Sequence, residues 1–139
     1  MECAIIPRSE FSNPHSNAGC GMSENELKRR TKNFALRIIE LVDDLPKGRA
    51  AEVICRQLFR SGRSVGANYR AARRAKSMAD FIAKMGTVEE EADESIHWME
   101  MLTEASILPL ARLQPFMAAA DELVAITVSL INVAKAREK

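Results

Sequence analysis

The side chains of this sequence that could do chemistry are mostly charged, and the two signs of charge are segregated along the chain. Residues 53–79 contain seven basic side chains, six of them arginine, and no acidic one. Arginine suits bidentate contacts to phosphate better than lysine does. The basic segment is therefore a candidate phosphate-binding surface, and its candidate nucleic-acid-binding residues are Arg60, Arg63, Arg70, Arg73, Arg74 and Lys76.

The segment that follows is acidic, and this leaves a structural interpretation open. Residues 85–111 contain seven carboxylates and no Lys or Arg. If the two segments form neighbouring antiparallel helices, their charges partly neutralise each other as a structural network. A phosphate-binding surface requires instead that some arginines face outward. Such a surface on one chain would bind weakly, and its repetition around an oligomer would strengthen binding through multivalency.

Motifs for catalysis and metal binding are incomplete. Glu94 and His97 have the Glu-x-x-His spacing of bundle di-iron proteins, which need two such pairs and a further Glu on each remaining helix. The only other histidine is His15. No Walker lysine follows Gly62 and Gly66, and no serine has a plausible histidine base. We therefore predict that the protein is not an enzyme and that it binds neither a cofactor nor a metal.

Composition favours one soluble domain. The chain has 139 residues, 47% hydrophobic and 28% charged, with a formal net charge of +1. This near-neutral total disfavours a globally basic nucleic-acid binder. No apolar run approaches the ~20 residues of a membrane-spanning helix, so no membrane contact is expected. The three cysteines form no CxxC pair. They therefore predict neither a disulfide framework nor a zinc site, which favours a cytoplasmic location.

Apolar residues recur at intervals of three and four, which predicts four helices and no strand. Ser23 or Asn25 could cap the first helix and Ser77 the third, and Pro115 is expected in the first turn of the fourth. The predicted helices cover about residues 27–45, 49–76, 78–105 and 113–135. The predicted fold is all-α, an antiparallel up-down-up-down four-helix bundle over residues 23–139. Residues 1–22 are predicted to form a disordered tail, with Met22 as an alternative start.

Two glycines fall inside the second helical pattern. Gly62 and Gly66 each cost about 1 kcal/mol relative to alanine in a helix interior. Close packing, a kink or a loop would explain them. We favour a continuous helix whose small residues let another backbone approach closely.

The string RQLFRSGRSVGANYRAA at residues 56–72 resembles the signature of the four-helix-bundle 23S rRNA intervening-sequence proteins. The resemblance continues through DFIAKM at 80–85 and EEEADES at 89–95, and it extends to FALRI at 34–38 and ELVAI at 122–126. It covers nearly everything after residue 24. The resemblance implies an up-down-up-down bundle that assembles as a homopentamer, and a bacterial protein for which nucleic-acid binding is expected.

Polar residues of the signature segments recur on one side of the second helix and along the third. They could form a buried polar network that fixes the register of the bundle, because buried polar groups must be paired. A ligand-binding role for the same side chains stays open. The residues are Gln57, Ser61, Ser64, Asn68, Asp80, Lys84, Glu90 and Glu94.

The leading hypothesis is a non-enzymatic homo-oligomeric bundle that binds RNA or DNA through phosphate contacts from the arginine-rich second helix. One alternative is a protein-interaction scaffold or accessory factor that makes no direct contact with nucleic acid. A third possibility is a small-molecule binder that uses the polar residues of the signature segments.

Overall fold

The computed structural model describes residues 22–138, which form four α-helices. In chain order these are α1 (Glu24–Asp43), α2 (Arg49–Arg73), α3 (Met78–Glu104) and α4 (Leu110–Glu138). Each helix packs mainly against its neighbours in sequence, and α1 touches α4 less extensively. The predicted all-α up-down bundle is confirmed. The predicted disordered tail lies, except for Met22, outside the described residues, and Met22 is buried in the core.

Serine caps fix the starts of α1 and α3. The Ser23 hydroxyl accepts a hydrogen bond from the Glu26 backbone N–H at 3.0 Å, so Ser23 is the cap of α1. The Ser77 hydroxyl accepts from the Asp80 N–H at the same distance. The Asp80 carboxylate in turn accepts from the Lys76 backbone N–H. These bonds satisfy amides that a helix start leaves without a partner, and they explain why both starts can be read from the sequence.

The core is built from aliphatic side chains, methionines and a few aromatic rings. Leu58, Phe81 and Met85 have no exposed surface. Tyr69 is equally buried, and its hydroxyl donates to the backbone carbonyl of Glu24 at 3.4 Å. Burial raises the pKa of the Tyr69 phenol well above its ordinary value. Tyr69 therefore acts as a neutral core residue that ties the end of α2 to the start of α1.

Helix α2 is continuous through both glycines, as predicted, although it ends at Arg73 rather than Lys76. A Cβ at Gly62 would lie 2.5 Å from Cδ1 of Ile38 on α1. A Cβ at Gly66 would lie 3.4 Å from Oγ1 of Thr31. The two glycines therefore let α1 approach α2 closely, which explains their position in a helix interior.

The predicted position of Pro115 in the first turn of the last helix is wrong. Helix α4 begins at Leu110, so Pro115 lies in its second turn. Proline has no N–H, so the carbonyl of Ala111 four residues earlier lacks the usual donor. Ala111 and Pro115 are both exposed, and water can satisfy this carbonyl.

Among residues 22–138, α4 is the one helix long and apolar enough to cross a membrane, by length and composition only. The mean hydropathy of its most apolar stretch is 1.6, and Asp121 and Glu122 interrupt the apolar run of this helix. A third of the apolar window is buried inside the bundle. Leu123, Leu130 and Ala134 are among the buried residues, so part of this apolar composition serves the core.

Candidate functional site

The predicted basic residues of the α2 region point in different directions. Arg63 and Arg70 of α2 and Arg74, which caps its C-terminal end, are exposed and recur at intervals of seven and four, which places them on one outward side. Arg60 and Arg73 are only partly exposed and are directed toward the neighbouring helices. The contacts of each basic side chain therefore decide whether it is free to bind phosphate.

Arg60 is occupied by the acidic helix. Its guanidinium donates to Oε1 of Glu91 at 3.3 Å and also to Oε2 of Glu94, which accepts a further hydrogen bond from Nε1 of Trp98 at 3.1 Å. The hydrogen bond to Glu94 is the main cause that raises the pKa of Arg60. The Trp98 hydrogen bond is the main cause that lowers the pKa of Glu94, with Arg60 adding to it. Arg60 thus joins α2 to α3.

Two further arginines are paired elsewhere. Arg73 donates to the Glu24 carboxylate of α1 at 3.2 Å, with both side chains largely buried. Arg56 pairs with Glu52 one turn earlier on the same helix, where both side chains are exposed. The predicted neutralisation of the basic segment by the acidic one therefore extends only to Arg60 among the described ion pairs.

The charged side-chain nitrogens of the other four basic residues in this segment have no carboxylate within 4.0 Å among residues 22–138. The guanidinium of Arg63 lies over the ring of Phe59, with its central carbon 5.7 Å from the ring centroid. From Arg63 to Arg74 the helix rises about 16 Å. The four residues are Arg63, Arg70, Arg74 and Lys76.

Helix α1 adds bases that the sequence reasoning missed. Arg29 and Lys32 are exposed and also lack an ion-pair partner among the described residues. The contact of Thr31 with Gly66 places this part of α1 level with the segment of α2 between Arg63 and Arg70. The sequence carries a signal for these two residues, because residues 28–32 form the basic run KRRTK. We call the combined surface the basic face; its residues are Arg29, Lys32, Arg63, Arg70, Arg74 and Lys76.

The outward side of α3 is acidic. Its exposed residues recur at intervals of three and four, and His97 is among them. The His97 ring meets Trp98 edge-on at 4.8 Å between centroids. No group of three or more His, Cys, Asp or Glu residues in the described part of the chain is arranged to hold a metal ion. We call the surface formed by Glu90, Asp93, Glu100 and Glu104 the acidic row.

The structure divides the predicted polar network into separate parts. Ser61 is fully buried and its hydroxyl lies 2.9 Å from that of Ser95, a residue outside the predicted set. This pair and the Arg60 cluster with Glu94 connect α2 to α3 near their middle. Glu91 joins the same cluster, and its Oε2 is buried without a hydrogen-bond partner in the described residues.

The other predicted polar residues lie apart from this cluster. Ser64 and Asn68 donate to backbone carbonyls of their own helix, at 2.7 and 2.8 Å. Lys84 donates to Asp80 at 2.7 Å near the start of α3, and this bond is the main cause that lowers the pKa of Asp80. Gln57 is half-buried, and Glu90 belongs to the acidic row.

A groove of about 290 Å³ runs between α1 and α4, where the helices pack least closely. Arg30 of α1 pairs with Glu122 of α4 across it. Arg37 lies over the ring of Phe116, 4.8 Å from its centroid. The groove contains none of the predicted polar residues; it is lined by Arg30, Asn33, Phe34, Arg37, Ala119, Glu122 and Leu123.

Comparisons of the sequence and of the fold with known proteins point to the same family. The family model described as 23S rRNA-intervening sequence protein matches residues 23–129. A solved structure of a protein of unknown function from the S23 ribosomal protein family of Bacteroides thetaiotaomicron is 32% identical, with a TM-score of 0.73. The match covers 78% of this chain and 96% of that one. No curated protein matches.

Proposed function

The chain belongs to the 23S rRNA-intervening sequence protein family, and from this premise we propose that it is a non-enzymatic oligomeric bundle that binds RNA or DNA through phosphate contacts. The observation that carries the proposal is the basic face. Its six side chains come from two adjacent helices and the turn after α2, and none has an ion-pair partner among the described residues.

The spacing of these bases suits a phosphate chain better than a single small anion. Arg63 and Arg70 lie about 10 Å apart along the helix axis, and Arg74 lies about 6 Å further. Along the axis of a duplex, each strand carries one phosphate about every 3.4 Å. Several phosphates can therefore contact the basic face together. Contacts of this kind position a nucleic acid without reading its sequence.

Salt-dependent binding of a labelled RNA tests the proposal. For single strands the logarithm of affinity falls with the logarithm of salt concentration with a slope of about −0.7 per phosphate neutralised. The triple variant R63A/R70A/R74A should bind more weakly and reduce this slope by about 2. The control K47A/R49A/K135A removes three exposed bases elsewhere, and its slope should stay near that of the unaltered protein.

Fluorescence anisotropy between low and moderate salt gives both slopes, and circular dichroism checks that the variants are helical. A failure to bind RNA or DNA at low salt would overturn the proposal. An equal loss in both triple variants would also overturn it, because net charge rather than the basic face would then explain binding.

We further propose that the protein is a homo-oligomer and that it forms the pentamer that the family resemblance implies. Exposed apolar side chains support self-association. Leu110 and Val128 of α4 are 47% and 36% exposed, and Met101 of α3 is 39% exposed. Light scattering should give five times the 15.5 kDa chain mass. A monomeric mass would overturn this part of the proposal.

The acidic row supports a second candidate function, a scaffold that docks a basic partner protein. Its four carboxylates are exposed, and none forms an ion pair among the described residues. A pull-down after nuclease treatment should then retain a partner, and the variant E90Q/D93N/E100Q should lose it. Retention by that variant would count against the acidic row as the docking surface.

A further inference from the structure

Beside the basic face lies a small apolar surface that the phosphate contacts do not use. Phe59 of α2 is 37% exposed, and Leu36 and Ile39 of α1 are 51% and 39% exposed. Ile38 packs at Gly62, one turn along α2 from Phe59. Ile39 follows Ile38 directly, so the exposed residues of α1 lie near the level of Phe59.

Phe59 is already in contact with a cationic side chain of the basic face. The Arg63 guanidinium lies over its ring at 5.7 Å, so one part of this surface is aromatic and the adjoining part is cationic. Proteins that bind single-stranded nucleic acids combine such features, because bases stack on aromatic side chains while cations contact the backbone. A duplex keeps its bases stacked on each other and offers no free base face to Phe59.

We infer that the protein binds single-stranded nucleic acid, with an unpaired base stacked on Phe59 and the following phosphates on Arg63, Lys32 and Arg70. This inference rests on the proposed function and names its substrate class. Charge complementarity favours a polyanion at this surface, because Phe59 adjoins Arg63, whose guanidinium has no carboxylate partner among residues 22–138.

Two strands of equal length test the inference on the full chain. One is a labelled uridine 12-mer, and the other is a ribose-phosphate 12-mer without bases. Stacking of one base on an aromatic side chain tightens binding about five- to 150-fold, and the partial exposure of Phe59 favours the lower end. The unaltered protein should bind the uridine strand about five- to tenfold more tightly. The variant F59L should bind both strands alike, with the salt slope for the abasic strand unchanged.

The variant V53S is the matched control, since Val53 is 54% exposed near the start of α2 and belongs neither to the basic face nor to the side chains proposed for self-association; it should keep the five- to tenfold preference. A second measurement uses the unaltered protein alone. A strand that carries 5-iodouridine is irradiated, and the cross-linked residue is identified by mass spectrometry, with Phe59 expected.

Four results would overturn the inference. Equal affinity of the unaltered protein for the two strands would refute stacking and leave phosphate binding intact, whereas absence of binding to both would refute the proposed function as well. Cross-links confined to residues away from Phe59 would place the base elsewhere. A change of oligomeric state in F59L with the preference for bases retained would assign the apolar surface to a second copy of the chain.

Discussion

The packing of α1 on α2 can be tested at Gly62, because that contact sets the position of Lys32 beside Arg63 and Arg70. The variant G62A should gain about 1 kcal/mol of helix propensity. Its Cβ, however, would lie 2.5 Å from Cδ1 of Ile38, whereas carbon atoms make favourable contacts at about 3.5–4.0 Å. Ile38 has no exposed surface into which this methyl group can move. Overpacking of this kind costs about 1–3 kcal/mol, so we expect G62A to lower the free energy of unfolding by roughly 1 kcal/mol.

The variant I38V removes the atom that is in conflict. Alone it should cost about 1 kcal/mol, since it leaves a small cavity. In the double variant the nearest atoms to Cβ of residue 62 are Cγ2 and Cβ of residue 38, at 3.5 and 3.6 Å, which are ordinary contacts. The new methyl group then occupies part of the cavity and the helix gain is kept. The double variant should therefore match the unaltered protein, which corresponds to a coupling of about 2 kcal/mol.

Urea unfolding followed by circular dichroism measures all four proteins, at one protein concentration because association alters apparent stability. The control is G66A, whose Cβ would lie 3.4 Å from Thr31. It should raise stability slightly, and its effect should add to that of I38V. A coupling near zero between positions 62 and 38, or a G62A variant that is more stable than the unaltered protein, would refute the packing argument.

Three further predictions concern charge and backbone. Replacement W98F removes the indole N–H whose hydrogen bond lowers the pKa of Glu94 below its ordinary 4.5. That bond stabilises the fold above about pH 4.5, and its contribution is lost as pH falls through the lowered pKa. In urea titrations W98F should therefore lower the free energy of unfolding by about 1 kcal/mol at pH 7 and by less at pH 3, and an equal loss at both pH values would contradict this. Ser106 follows the end of α3 with a φ of 59°, a backbone conformation that glycine adopts with less strain than serine. In thermal melts S106G should therefore raise the free energy of unfolding by about 0.5–1 kcal/mol, and a lower stability would contradict this argument. Replacement R60A should lower the free energy of unfolding by about 1–2 kcal/mol, because Arg60 bonds Glu91 and Glu94. The salt slope of RNA binding should stay unchanged for the same reason. A reduced slope would place Arg60 on the phosphate-binding surface.

The sequence by itself determined the features that depend on neighbouring residues along the chain. Helix phase follows from apolar spacing, so the four helices and their core faces were predictable. The caps Ser23 and Ser77 were predictable as well, because each bonds an amide three residues away. The start of α4 was harder to place, since a proline close to a helix start is compatible with more than one first residue, and Pro115 lies one turn later than expected.

The tertiary structure decided which charges are free. Arg60 and Arg73 belong to the same basic segment as Arg63, yet their partners lie 31 to 49 residues away, on α3 and α1. Lys32 joins the basic face only because Gly62 and Gly66 allow α1 to pack closely on α2. An ion pair requires two groups within about 4 Å, and that distance between helices depends on packing rather than on the order of residues. Composition alone therefore shows a net charge of +1, and the order of residues shows a basic and an acidic segment. The fold decides which of these charged side chains form the basic face and the acidic row.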